Sequence, residues 1–176
     1  MRAFLDACVL YPTVQREILL GVASTGLFQP LWSSRVLEEW ARATIKLGQE
    51  AAARAEIADL HQNWPDAEVG IPEELEARLL LPDPADRHVL AAALGAGADL
   101  IVTENLRDFP LRAREGMRIE APDPFLLTLW QTSPQPVAMA VEAVRAKAET
   151  LSGEPQPLRP LLKRARLPRL GKALSR

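Results

Sequence analysis

The stretch "DPADRHVLAAALGAGADLIVTENLRDFP" (residues 83–110) decides the fold. It opens on acids and a proline, and Asp86 stands near the start of a helix whose inner face is small and apolar: Val89, Leu90, Ala93 and Leu94. Gly95 and Gly97 mark its end. The next run, Asp99 to Thr103, is short, apolar and bounded by turn residues, the pattern of a strand buried on both faces. A helix followed so closely by such a strand is half of a βαβ unit, which predicts a three-layer α/β/α sandwich on a mostly parallel sheet.

Working outward, Ala3-Phe4-Leu5 is a first strand that stops abruptly on Asp6. Met117 to Pro122 offers an edge strand, and Leu79 to Leu81 a short strand or apolar connector. A helix is expected over residues 13–23, ended by Thr25-Gly26. "LFQPLW" (27–32) is an apolar piece interrupted by Pro30. Ser33-Ser34 provides an N-cap for a helix that closes at Gly48, and an Ala-rich helix follows until Pro65. Helices over 123–131 and 134–151 complete the reading, with Val137, Val141, Val144, Ala148 and Leu151 on one stripe of the second. The expected organisation is a main domain over 1–132, a helix packing on it over 133–154, and a basic tail over 155–176.

The chain has 176 residues, 48% hydrophobic and 25% charged, enough for one well-packed domain. No apolar run is long enough to span a membrane. Cys8 is the single cysteine, so no internal disulfide can form, which points to a reducing cytoplasm. Its expected role is that of a small buried residue in the first turn. Net charge is −2, unevenly spread. Arg159, Lys163, Arg164, Arg166, Arg169, Lys172 and Arg176 follow Pro155 with no acid among them, leaving 14 basic against 23 acidic residues before it. An acidic body can handle a polyanion only at a local site or through bound cations. The basic tail itself touches RNA, docks an acidic partner or is disordered.

Four acidic positions share one setting. Asp6 follows the first strand, Asp86 begins the helix that feeds the strand at 99–103, and Asp108 lies just beyond that strand. The fourth is Glu38 or Glu39. In an open parallel sheet the carboxyl ends of the strands line one crevice where ligands bind. Each acid also has a plain structural role open to it: Asp6 and Asp108 in turns, Asp86 as a helix cap, the glutamates on a solvated face. Glu38 has Arg35 and Arg42 at ion-pair spacing, whereas Glu39 has Val36 and Ala43 there, so Glu39 is the one expected to enter a site. Converging carboxylates repel unless a cation holds them. Oxygen ligands without histidine or cysteine suit Mg²⁺ or Mn²⁺, ions that activate water and neutralise a phosphodiester.

"FLDACVL" (4–10), "SSRVLEEW" (33–40), "PADRHVLAAAL" (84–94) and "LIVTENLRDFP" (100–110), in this order and spacing, resemble a PIN-domain protein of the VapC-like toxin type. The resemblance covers about residues 1–125. It implies a Mg²⁺- or Mn²⁺-dependent ribonuclease, usually the toxin of a type II toxin–antitoxin pair, with a small antitoxin protein as partner and homodimers as the common state. By position, Asp6, Glu39, Asp86 and Asp108 match the family's acidic quartet, with Asp6, Asp86 and Asp108 as metal ligands. Thr103 and Asn105 match the polar residues beside it. Glu104 and Asp83 are acids beyond the family pattern, and relatives place the fourth acid at the position of either Asp108 or Asn105.

Other folds with an early aspartate fit less well. A haloacid-dehalogenase phosphatase needs a second aspartate where Cys8 stands, and a phosphorelay receiver needs an acidic pair and a late lysine. The rival is a catalytically inactive PIN-like scaffold that binds protein or RNA. Arg87, Arg107, Arg112 and Arg114 flank the crevice as phosphate contacts or as solvated arginines. Trp32, Trp40, Trp64 and Trp130 fall in apolar patterns and read as core. His88 reads as structural.

Overall fold

A computed structural model describes residues 1–175; Arg176, counted above among the basic residues, lies outside them. The elements run β1 (Arg2–Leu5), α1 (Ala7–Leu10), α2 (Thr13–Ser24), β2 (Gln29–Leu31), α3 (Ser34–Ala43), α4 (Glu50–Asn63), α5 (Glu73–Arg78) and α6 (Arg87–Gly95). Then come β3 (Leu100–Val102), β4 (Arg118–Glu120), α7 (Pro122–Thr132), α8 (Pro134–Ser152), α9 (Leu158–Arg164) and α10 (Pro168–Leu174). The fold class is α/β/α, as expected, and every strand pair is parallel, in the order β2-β1-β3-β4.

Two compact units make up the chain: residues 1–11 with 29–120, and residues 12–28 with 121–176. The first holds the sheet. Ala3, Phe4 and Leu5 pair with Leu100, Ile101 and Val102, and all six are fully buried. Continuous apolar runs suit strands buried on both faces, which is why these two were visible in the sequence. β2 forms despite Pro30, because beyond Pro30 on the side away from β1 there is no ladder to lose: β2 is an edge strand. Leu79–Leu81 forms no strand, and α5, just before it, was not expected.

The helix from Ser33 starts as read: the Ser33 hydroxyl accepts from Val36 N at 3.3 Å. It ends earlier, at Ala43, and a 3₁₀ turn over Ile45–Leu47 carries the chain to Gly48, whose φ of +67° suits glycine. Gly95 and Gly97 divide their work. Gly97, at φ +64°, turns the chain out of α6, while Gly95 gives room, since a Cβ there would stand 2.4 Å from Pro72 Cγ.

The second unit is helical: α2, α7, α8, α9 and α10. α8 packs on α2 and α7, and α10 on α7 and α9. The rings of Phe28 and Phe125 meet edge to face, centroids 5.1 Å apart. The stretch expected as a tail is two helices here, because Leu161, Leu162, Ala165, Leu167 and Leu170 are buried.

Candidate active site

Strand order places a topological switch at β1: the chain leaves β1 for β2 on one side and returns as β3 on the other. The crevice at such a switch lies beyond the carboxyl ends of the strands. Asp6 is the residue after β1, and Thr103 the first after β3.

Asp6 is held from both sides. Its backbone N–H bonds Val102 O at 3.1 Å, continuing the β1–β3 ladder by one rung. Its Oδ1 accepts from Ala7 N at 2.7 Å, and its Oδ2 from the buried Thr103 hydroxyl at 2.7 Å. The Cys8 thiol lies 3.3 Å from the same Oδ2 and 3.3 Å from Thr103 Oγ1, and it accepts from Glu104 N at 3.3 Å. So Asp6 does serve its turn, but the residue is also only 5% exposed. Burial pushes its pKa up, against the pull of the Thr103, Cys8 and Ala7 bonds, and the Glu39 charge pushes the same way as burial. Burial and the Asp6 charge drive the Cys8 thiol up to about 12, which keeps it protonated at neutral pH and rules it out as a nucleophile. Cys8 is thus more than the filler expected of it: it is a polar neighbour of Asp6.

Asp86 stands at the start of α6 and makes no side-chain capping bond there. The capping is done upstream, where Asp83 Oδ1 accepts from Ala85 N at 2.8 Å and sets the 3₁₀ turn of Pro84–Asp86. This accounts for the extra acid at Asp83 and leaves Asp86 free for other work. Partial burial pushes the Asp86 pKa up to about 6, reinforced by the charges of Asp108, Asp6 and Asp83, while His88 opposes them. Asp108 sits half-buried in the 3₁₀ turn of Leu106–Asp108. Asn105 is exposed, and its backbone N–H donates to Thr103 Oγ1 at 3.0 Å. The Asp108 charge is among those that raise the Asp86 pKa.

The glutamates separate, though not by burial. Glu38 bonds Arg42 and Arg54 on the surface, at 2.8 and 3.0 Å. Arg35 does not join it; it reaches Glu76 at 3.0 Å and lies 3.9 Å from Glu39. Glu39 turns its Oε1 to Nε2 of His88, 2.9 Å away, and His88 is only 1% exposed. Its Nδ1 is buried without a partner, so the Nε2–H···Glu39 bond is the one that orients the ring. His88 is therefore structural in a specific sense: it aims Glu39. No sequence pattern marks a pair 49 residues apart.

Trp32 and Trp40 are core, as read. Arg107 and Arg112 are exposed, whereas Arg87 and Arg114 are half-buried, each with a buried Nε that lacks a hydrogen-bond partner.

Among the described residues, no three His, Cys, Asp or Glu side chains are placed as a ready-made metal cage. Mg²⁺ does not require one: it keeps several waters and is held by one or two carboxylates together with substrate phosphate. The donor set fits such an ion in kind, since the acids acting on Asp86 and Asp6 include Asp108, Asp83 and Glu39, with no Lys or Arg paired to either aspartate among the described residues.

Residues 2–107 match the PIN domain. The chain belongs to the PIN-domain family. PIN domains are generally nucleases, usually working with divalent metal ions, and the match runs from β1 into the turn that carries Asp108. No curated protein and no solved structure matches the chain. No helix among the described residues is long and apolar enough to cross a membrane.

Proposed function

We propose that this PIN-domain protein is a Mg²⁺- or Mn²⁺-dependent endoribonuclease and the toxin of a toxin–antitoxin pair, with a small antitoxin as partner. The observation that carries the nuclease reading is Asp86: a half-buried acid at a helix start that caps nothing and whose ionisation burial and the charges of Asp108 and Asp6 oppose. A group placed at such cost to itself fits a cation better than it fits the fold.

Asp6, Asp86 and Asp108 are the proposed ligands. When bound, the ion activates water and neutralises the charge that builds on the phosphodiester. Thr103 and the Ala7 amide hold the Asp6 oxygens, so that carboxylate is oriented before any ligand arrives. His88 does the same for Glu39. The half-buried guanidinium groups of Arg87 and Arg114 are cations of a kind suited to phosphate oxygens. The toxin and homodimer assignments rest on the family resemblance, and the cytoplasmic one on the single cysteine.

The test is incubation of the purified protein with structured and unstructured RNAs in Mg²⁺, Mn²⁺ or EDTA. Cleavage confined to the metal lanes is expected. Cleavage that survives EDTA overturns the metal dependence, and metal binding without cleavage of any RNA favours an inactive scaffold. Induced expression in bacterial cells should halt growth, and Asp86→Asn should restore it.

A further inference from the structure

The six basic residues of 158–174 sit on a built surface. Leu161, Leu162, Ala165, Leu167 and Leu170 anchor α9 and α10 from beneath. The Asp123 carboxylate, itself buried, accepts from Arg169 N at 2.9 Å and Leu170 N at 3.0 Å, and Gln15 Nε2 donates to Ala165 O at 3.0 Å. Above these anchors Arg159, Lys163, Arg164, Arg166, Arg169 and Lys172 are all exposed. Arg159 and Lys163, four apart on α9, share one side of that helix.

None of the six forms an ion pair among the described residues; Arg164 alone has a side-chain partner, the neutral amide of Gln156 at 2.9 Å. Elsewhere in the same unit cations are neutralised: Arg145 by Glu142 and Glu149, Lys147 by Glu17. Unpaired like charges on one small surface repel, so the cluster raises the energy of the folded protein unless an anion meets it.

We infer that the exposed face of α9–α10 is a docking surface for the phosphate backbone of single-stranded nucleic acid. The surface is charge without grease: no large hydrophobic side chain is exposed between residues 155 and 175. Protein interfaces are centred on apolar or aromatic anchors, and membrane-surface helices present an apolar face. A phosphate backbone asks only for cations, and it rewards each with released counterions. The choice of a single strand rests on the ribonuclease reading, and the binding itself does not.

The probe is a labelled oligouridine of about 20 nucleotides, long enough to cover several phosphate contacts, titrated in EDTA across a KCl series so that no cleavage enters the measurement. Two double variants are compared with the full chain: Arg159→Gln with Lys163→Gln, and Arg166→Gln with Arg169→Gln. Each should lower the slope of log K against log[KCl] by about 1.4, and the quadruple variant by about 3, at about 0.7 per cation on a single strand. Far-UV circular dichroism reports whether α9 and α10 persist, and either double variant suffices should the other unfold. Unchanged slopes in folded variants overturn the inference. So does tighter binding of polyglutamate than of oligouridine, which assigns the surface to an acidic protein. A wild type that binds in this way but never cleaves leaves the surface standing and removes the ribonuclease. A wild type that cleaves while the variants keep its slope does the reverse.

Discussion

The two units carry opposite charge, and each leaves its own sign unpaired. Residues 1–11 and 29–120 hold 11 basic against 18 acidic side chains, a net −7; residues 12–28 and 121–176 hold 10 against 5, a net +5. In the first unit the surface glutamates find arginines, as Glu38 finds Arg42 and Arg54, but Asp6 and Asp86 in the crevice find none. In the second, α8 pairs its cations, whereas those of α9 and α10 form no ion pair among the described residues. Part of the surface charge is neutralised locally in both units. Asp6 with Asp86, and the cations of α9–α10, are two unpaired groups suited to a ligand of opposite sign. A nuclease needs both signs, since cations must meet phosphate and acids must hold the metal, and here the sequence segregates them.

The sharpest way to break this comparison is to remove one crevice acid. Asp86→Asn should lower cleavage by about a thousandfold or more, as loss of a principal electrostatic group does in other active sites. It should leave the metal-free protein as stable as before, or more so, because Asp86 caps nothing and is repelled by its neighbours. Thermal melts in EDTA and in a Mn²⁺ series check both points. The wild type should gain roughly RT ln(1 + [L]/Kd) from the metal, and the variant less. A loss of about 1 kcal/mol or more in EDTA, typical of a missing cap, would make Asp86 structural.

Next in size are the glutamates. Glu39→Gln should cost cleavage about a hundredfold, in the range of an outer-shell or acid–base group, and Glu38→Gln almost nothing. His88→Leu should fall between them, and His88→Gln, which keeps an N–H near the Nε2 position, should recover part of the loss. Because His88 is buried, melting curves must accompany the rates. Equal losses for Glu38 and Glu39 would show that the His88 contact carries no functional weight.

A smaller effect is expected from pH. Asp86 titrates at about 6 in the folded protein against an ordinary 3.8, so the native state binds the proton more tightly than the unfolded chain. Its ionisation therefore destabilises the fold: the penalty is absent below about pH 4, grows through about pH 6 and is complete above it. Allowing for solvent screening of a half-exposed group, about 1 kcal/mol is at stake. Urea titrations in EDTA should show stability declining over that window. The same measurement on Asp86→Asn should be flatter there, and Mn²⁺ affinity of the wild type should rise across it.

How much of this was legible differs between the units for a physical reason. β1, α6 and β3 were readable because residues buried on both faces leave unbroken apolar runs, and because Gly97 and the acids punctuate them. Pro30 obscured β2, since edge position, which makes proline harmless, is a property of the whole sheet. The proposed roles of Asp6, Asp86 and Asp108 come from strand ends and family resemblance. The partners of Asp6 at Thr103 and of Glu39 at His88 come from tertiary packing across 97 and 49 residues, which no local pattern encodes. Arg35 shows the same limit, for helical spacing favoured Glu38 and the fold brought Glu76. In the second unit, basic and proline residues between Leu161, Leu162, Leu167 and Leu170 masked an apolar stripe spread over two short helices.

The smallest predicted effects come from a matched pair of strained residues, one in each unit. Glu115 and Arg166 are the only non-glycine residues at positive φ among those described, at +49° and +60°. Left-handed backbone costs an L-residue about 1–2 kcal/mol, and glycine returns most of that while adding about 0.5–1 kcal/mol of chain entropy to the unfolded state. Glu115→Gly and Arg166→Gly should therefore each stabilise their unit slightly, by about 0.5–1 kcal/mol. Their effects on nucleic acid should diverge. Arg166→Gly should lower the salt slope of oligouridine binding by about 0.7, the share of one cation, while Glu115→Gly leaves it unchanged. If both variants are more stable and only the arginine affects binding, Arg166 holds its place for its charge and against the preference of its backbone. If neither affects binding, the strain at Arg166 belongs to the tight turn between α9 and α10, and one cation leaves the docking surface.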